Sequence, residues 1–598
     1  MTPTAGRWRA LRPAWWSDYG RTSVQRDVVA GLVVVMMLVP QSLAYALLAG
    51  LPAQTGLYAS MLPLVAYAIF GSSRTLAVGP VPVVSLMSAS ALAPLALPGS
   101  AAYAGLALQL AMLVGGLLLL SGVLRLGLLA HLLSAPVING FMNGSVVLII
   151  LGQLMPLLGV QGSGHTALAL GQALFTGLTQ VHPATAVFGL TAALVLAGAP
   201  AALRRLLAAL TLHPTTTDLV TKLAPIFVLL CAIGLTVGLN LDTVYHVAVV
   251  GSIPTVLPTL AMPELAATSL KALLLPACAL ALVSFIQSVS MAQLLAARDG
   301  ERIEPNRELL GLGAANLAAA CAGGLPVAGG FSRSIVNHAA GARSPLAGVV
   351  AAAAMLALLA PMGGLFARLP ACVLAASIII PLCALIEPAA LRRVWTYSRA
   401  DGAAQIATTM GVLVLGVEAG IGLGVALSLL ALLWQASRPH VAILGQVSGT
   451  QQYRNQQRAP VDTQPDILAL RIDENLFFGN ITAAENALQQ ALDVQPSARH
   501  VILVMSSVNH IDATAMESLR AINQRLAASG RSFYLTEVKG PVLDQLARSS
   551  LLDELSGRVF RFTHEAFTHL DTQGREAQSR AAQPLPAANL TPDVAGSS

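Results

Sequence analysis

Two stretches govern how this chain must fold: Val78-Gly79-Pro80-Val81-Pro82-Val83-Val84-Ser85 and, roughly 250 residues later, Gly324-Leu325-Pro326-Val327-Ala328-Gly329-Gly330-Phe331-Ser332-Arg333-Ser334. Each sets helix-breaking Gly and Pro just ahead of a run that can start a short helix. Their surroundings are apolar. No Asp, Glu, Lys or Arg occurs between Asp27 and Arg74, between Arg74 and Arg125, or between Arg125 and Arg204. The runs from Lys271 to Arg298 and from Ala419 to Ser437 are similarly empty inside. Charged residues make up 10% of the chain and hydrophobic ones 55%, where soluble domains carry about 25% charge. Apolar runs of roughly 20 residues cross a bilayer as helices. The composition therefore predicts a polytopic α-helical membrane protein with about fourteen segments over residues 27–437. The third (80–97) and tenth (332–341) are too short to cross alone.

Paired interruptions in the two halves of a transporter point to an inverted repeat with its binding site near the midplane. A half-helix start carries free backbone N–H groups and roughly half a positive charge. Two such starts facing each other make an anion site from backbone alone. Arg333 adds to this, because an arginine at mid-bilayer costs on the order of 3 kcal/mol unless it faces a polar cavity. Together they predict a local charge of roughly +2, suited to a small anion.

The flanks differ in character. Residues 1–26 carry Arg7, Arg9, Arg12, Arg21 and Arg26 with Trp8, Trp15 and Trp16, which reads as a cytoplasmic interfacial segment. The net charge of +6 follows from arginines near cytoplasmic loops and calls for no nucleic acid. After Ser437, residues 438–465 read as a polar linker. Strand-like and helix-like runs then alternate over 466–571, as in a small α/β domain. Asp512 is placed to cap the helix that begins at Ala513. The tail, 572–598, lacks a hydrophobic pattern and reads as disordered. Five scattered cysteines show no metal spacing. Without a nucleophile elbow, Walker motif or Gly-rich phosphate loop, neither an enzyme nor a bound cofactor or metal is expected.

The run Pro40-Gln41-Ser42-Leu43-Ala44-Tyr45-Ala46-Leu47-Leu48-Ala49-Gly50-Leu51-Pro52, followed by Gly56-Leu57-Tyr58, resembles the signature of the SulP sulfate-permease family. So do Tyr67-Ala68-Ile69-Phe70-Gly71-Ser72-Ser73-Arg74 and Gly329-Gly330-Phe331-Ser332-Arg333-Ser334. The α/β tail resembles a STAS domain. The resemblance implies a repeat of roughly seven plus seven helices, divided into core and gate domains and assembled as a homodimer in the bacterial cytoplasmic (inner) membrane, with both termini and the STAS domain cytoplasmic. It also implies a site between the starts of the third and tenth helices. There Gln41 and Tyr45 face the anion, Val81, Pro82 and Val83 form one helix start, and Phe331, Ser332 and Arg333 form the other.

Many relatives carry a carboxylate where this chain has Gln287 in the eighth helix. Gln cannot titrate, so coupling to a proton or sodium co-substrate is not expected through this position; Glu387 and Glu418 are the other candidates. Thr514 matches a serine that is phosphorylated in a related STAS family, which implies a regulatory site. The expected function is secondary transport of a small inorganic anion, sulfate first and bicarbonate next. An anion channel, an exchanger of chloride or dicarboxylate, and a non-transporting sensor are the alternatives.

Overall fold

The structure is a computed structural model that describes residues 20–131, 134–162, 164–209, 221, 224–251, 262, 267–386 and 388–581. It divides into two compact units, Met1–Leu429 and Leu430–Ser598.

The first unit is helical: α1 (Arg21–Leu48), α2 (Ala53–Tyr58), α3 (Leu62–Phe70), α4 (Pro82–Leu92), α5 (Ala101–Val123), α6 (Ala135–Leu158), α7 (Ala167–Gly177), α8 (Pro183–Ala209), α9 (Ala224–Leu239), α10 (Ala267–Asp299), α11 (Pro305–Cys321), α12 (Phe331–Ala339), α13 (Leu346–Ala367), α14 (Ala371–Cys383), α15 (Pro388–Tyr397), α16 (Arg399–Leu415) and α17 (Val417–Ala436). Among the described residues, 7 helices are long and apolar enough to cross a membrane, taking Ala53–Phe70 as one. Two packing groups can be distinguished. In one, α11 lies along α5 and α3 while α1 lies along α13; in the other, α6 lies along α16 and α14. In both, helices from before and after residue 250 pack against each other. The helices α7 and α15 had no counterpart in the sequence-based expectation.

The two Gly/Pro stretches meet. Strand β1 (Val78–Gly79) pairs antiparallel with β2 (Ala328–Gly329), matching Val78 to Gly329 and Gly79 to Ala328. The pairing satisfies backbone groups that would otherwise be orphaned in an apolar interior. Polar side chains complete the job. Asn316 donates to Val327 O and accepts from Val327 N, both at 2.9 Å. Ser288 Oγ accepts from Gly329 N at 2.8 Å, and Ser334 Oγ accepts from Ala77 N at 2.9 Å. Pro82 opens α4, where its missing N–H costs nothing.

Two buried acids hold loops in place. The Glu308 carboxylate accepts from Tyr67 Oη (2.7 Å), Ser72 N (2.9 Å), Ser72 Oγ (2.6 Å) and Ser73 N (2.8 Å). It thereby anchors the segment that leads into β1. Asp27 accepts from Arg343 N, Ser344 N and Ser344 Oγ ahead of α13.

The second unit is a six-stranded sheet of order β4-β3-β5-β6-β7-β8. Its strands are β3 (Val441–Gln446), β4 (Tyr453–Asn455), β5 (Ile467–Ile472), β6 (His500–Val504), β7 (Ser532–Thr536) and β8 (Val559–Phe560). The last four run parallel, and β3 is antiparallel to both β4 and β5. Helices α18 (Ile481–Val494), α19 (Ala513–Ala528), α20 (Gly540–Ala547) and α21 (Leu551–Glu554) contribute to the core that contains Leu470, Leu503 and Phe533. On the other face, α22 (Thr563–Ala581) packs Ala566, Phe567 and Leu570 against Ala469, Ile502 and Tyr534.

Several boundaries are corrected. The stretch 438–465, expected as a linker, supplies β3 and β4, because Val441–Leu444 pair with Ile472–Ala469 of β5 and bury Ala442 and Leu444 despite polar neighbours. The expected disordered tail, 572–598, is helical as far as Ala581, since α22 continues past its packed first turns. The N-terminal arginines and tryptophans before residue 20, the end of the tail and Glu387 lie outside the described residues.

Candidate functional site

Helix α1 brings Gln41 and Tyr45 to one face, four residues apart. The start of α4 supplies Val81, Pro82 and Val83, the start of α12 supplies Phe331, Ser332 and Arg333, and α10 supplies Gln287. All of these line one cavity of about 310 Å³. Met142 and Val146 from α6, with Pro381 and Leu382 from α14, line it too. These apolar residues were missed from sequence, because an apolar residue in an apolar helix carries no mark of the side it faces. A second cavity of about 290 Å³, mostly apolar, shares Met142, Gln287 and Phe331 with the first.

Among the described residues that line the first cavity, Arg333 carries the formal charge. It is 1% exposed. Its Nη2 donates to Pro80 O at 2.8 Å, in the break before α4. Its Nη1 is buried and has no hydrogen-bond partner. Close packing beside it depends on glycine: a Cβ at Gly330 would come 2.6 Å from Arg333 Nε, and one at Gly79 would come 3.1 Å from Nη1.

The helix starts are open as well. The first intrahelical bonds run from Ser85 N to Val81 O and from Ser334 N to Gly330 O, so the amides just before them belong to the unpaired first turns. The Oε1 of Gln287 is also buried without a partner. The cavity thus joins one buried cation with two helix starts and neutral polar groups, which can hold a small anion by charge and N–H donation.

Elsewhere, Glu418 has a buried oxygen without a hydrogen-bond partner but lines neither cavity. In the α/β unit Asp512 caps α19, accepting from Ala515 N at 2.8 Å, and Thr514 is exposed in the first turn of that helix. His338 sits with Nε2 3.1 Å from Asp299 Oδ2.

Known proteins resemble the chain in sequence and in fold. The model of the sulfate permease family matches residues 24–408, and that of the STAS domain matches residues 458–566. A probable sulfate transporter of Mycobacterium tuberculosis strain H37Rv is 34% identical over 556 residues, covering 93% of this chain and 96% of its own. The chloroplastic sulfate transporter 4.1 of Arabidopsis thaliana is 32% identical over 577 residues, covering 94% of this chain and 81% of its own. Among solved structures, murine solute carrier 26 family member A9, an anion transporter in the inward-facing state, superposes with a TM-score of 0.83 at 22% identity, covering 96% of this chain and 95% of its own. The transmembrane domain of a cyanobacterial bicarbonate transporter superposes with a TM-score of 0.58 at 22% identity, covering 68% of this chain and 99% of its own.

Proposed function

The chain belongs to the sulfate permease family and carries a STAS domain, and we propose that it is a secondary transporter of small inorganic anions, with sulfate its first substrate and bicarbonate the next. The observation that carries this reading is the buried Arg333 Nη1, without a protein partner, at a cavity bordered by two helix starts. An anion there meets charge that the fold has already desolvated, so little reorganisation accompanies binding. The names of the relatives favour sulfate over bicarbonate.

The helices form about fourteen spans in an inverted repeat of roughly seven plus seven. The group around α1, α4, α10 and α12 is the core and the group around α6 and α14 is the gate. Alternating access moves one against the other around the anion. The protein works as a homodimer in the bacterial inner membrane, with both termini and the STAS domain cytoplasmic. Because Gln287 does not titrate, coupling to protons or sodium does not run through this position, and exchange or uncoupled flux is expected. Thr514 is exposed where a phosphate would meet the positive end of α19, which supports a regulatory role; mass spectrometry of protein from cells that finds Thr514 only unmodified removes that role.

The test is uptake of labelled sulfate and labelled bicarbonate into proteoliposomes by wild type and Arg333→Ala, with imposed proton and sodium gradients. Saturable flux of sulfate, lost in the variant and indifferent to both gradients, is the expected result. Equal flux in the variant overturns the role of Arg333. Silence toward both anions, with chloride and dicarboxylates also silent, overturns transport.

A further inference from the structure

A cavity of about 620 Å³ opens in the α/β unit at the carboxyl ends of the parallel strands β5, β6 and β7. In open α/β sheets this is the end at which ligands bind. Three arginines line it: Arg454 on β4, Arg458 just beyond it and Arg471 on β5. Arg471 is engaged, donating from Nε to Asp473 Oδ1 at 2.5 Å and from Nη2 to Oδ2 at 3.1 Å. Arg454 and Arg458 are exposed, and neither side chain has a hydrogen-bond or ion-pair partner among the described residues. The start of α22, a helix of 19 residues, enters the same wall through Thr563 and His564 and supplies N–H groups of its first turn.

Glu537 is the one carboxylate among the described residues that line the cavity. Its φ of +55° is a left-handed conformation that a non-glycine residue adopts at a cost. Thr563 Oγ1 holds it there, donating to Oε1 at 2.6 Å, and Thr563 is in turn 3.1 Å from Thr536 Oγ1. Tyr453 is also fixed: it lies 4.6 Å from Phe567, centroid to centroid, with its Oη 3.2 Å from His564 Nδ1.

These features select a class of ligand. Two uncommitted guanidinium forks match the oxygens of a phosphate. The space exceeds what a single tetrahedral oxyanion fills and lies within the roughly 300–1,000 Å³ of pockets that hold whole small molecules. A carboxylate repels phosphate; Glu537, whose Oε1 accepts from Thr563, can meet with its other oxygen a donor elsewhere on the same ligand, and a hydroxyl is a neutral group that supplies one. We propose that this pocket binds a phosphorylated small molecule with a hydroxylated body of sugar size, its phosphate on Arg454 and Arg458 and its hydroxyls on Glu537. The site is separate from the anion cavity of the helical unit and does not rest on the transport reading. No sequence motif announces it, because its residues come from six separated segments.

The experiment is calorimetric titration of the full-length protein in detergent, carrying Arg333→Ala so that the helical cavity does not contribute, with Arg333→Gln in its place if that variant melts early. Ribose 5-phosphate, ribose, inorganic phosphate and sulfate are the probes. Saturable binding of ribose 5-phosphate is expected, with phosphate and sulfate about tenfold weaker and ribose silent. Arg454→Gln combined with Arg458→Gln should weaken ribose 5-phosphate by about tenfold or more at an unchanged melting temperature, since both side chains are exposed. Arg454→Lys with Arg458→Lys, which keeps charge but not the fork, should fall between. Glu537→Gln should narrow the gap between ribose 5-phosphate and phosphate. The proposal is overturned if ribose 5-phosphate does not bind, if sulfate binds as well as it does, or if the arginine variants leave its binding intact.

Discussion

Gly330 and Arg333 form a unit. A methyl group at Gly330 would overlap the guanidinium, with Nε only 2.6 Å from the added carbon, and would drive it off the Pro80 carbonyl. Gly330→Ala should therefore lose most sulfate uptake while the melting temperature stays close to wild type; full uptake would show that the position of Arg333 is unimportant. Arg333→Lys retains a charge but cannot hold Pro80 O and present a second N–H group from one rigid plane. Its KM for sulfate should rise by about tenfold, a loss of roughly 1.4 kcal/mol. Gln287→Glu places a titratable group at the cavity, where Gln287 Oε1 has no partner. Proteoliposome flux that acquires a dependence on external pH is expected, because a carboxylate repels the anion unless it is protonated; a flat pH profile would count against the contact. The type and approximate position of Arg333 were legible in the sequence, since an arginine inside an apolar run needs a reason. Its partner was not, because Pro80 lies far away along the chain and only pairing of β1 with β2 brings it close.

Elements in this protein are held where they break. The short helices α4 and α12 are too short to cross a membrane, and their entry points depend on Glu308, Asn316, Ser288 and Ser334. Glu308 is fully buried and orders the residues ahead of β1 through Ser72 and Ser73. Glu308→Ala leaves those donors unpaired and should destabilise the helical unit by about 3 kcal/mol, read as a lower melting temperature in detergent. Glu308→Gln, which keeps acceptor capacity on one oxygen, should lose less. In the α/β unit, Asp512 caps α19 and also accepts from Phe478 N at 2.8 Å. Asp512→Ala should cost about 1–2 kcal/mol of that unit's stability, measured by denaturant unfolding. The cap was legible because its geometry spans three residues. The two strands within 438–465 were not, because polar Gln and Asn neighbours mask short strands, β4 pairing at the edge with β3 and β3 with β5, which follows later.

Across the whole molecule, the halves of the helical unit are interleaved. Helix α5 packs on α11, α1 on α13, and α6 on α16. Neither half can bury its apolar faces alone, so separately produced halves split near residue 255 should aggregate, and co-production should restore a folded, active unit. A half that folds alone would contradict the interleaving. Charge-free runs, Gly/Pro breaks and turn chemistry act over a few residues, and a membrane imposes one rule on every exposed backbone group. For that reason the helical, membrane-spanning kind of the segments, the broken helices and the alternation of strand and helix after residue 466 could be read from residue order. Which break meets which, what the orphaned face of Arg333 looks onto, and which arginines converge at the mouth of the sheet depend on packing between segments hundreds of residues apart. Those distances are set by burial and steric fit of whole helices and strands, and no local run of residues encodes them.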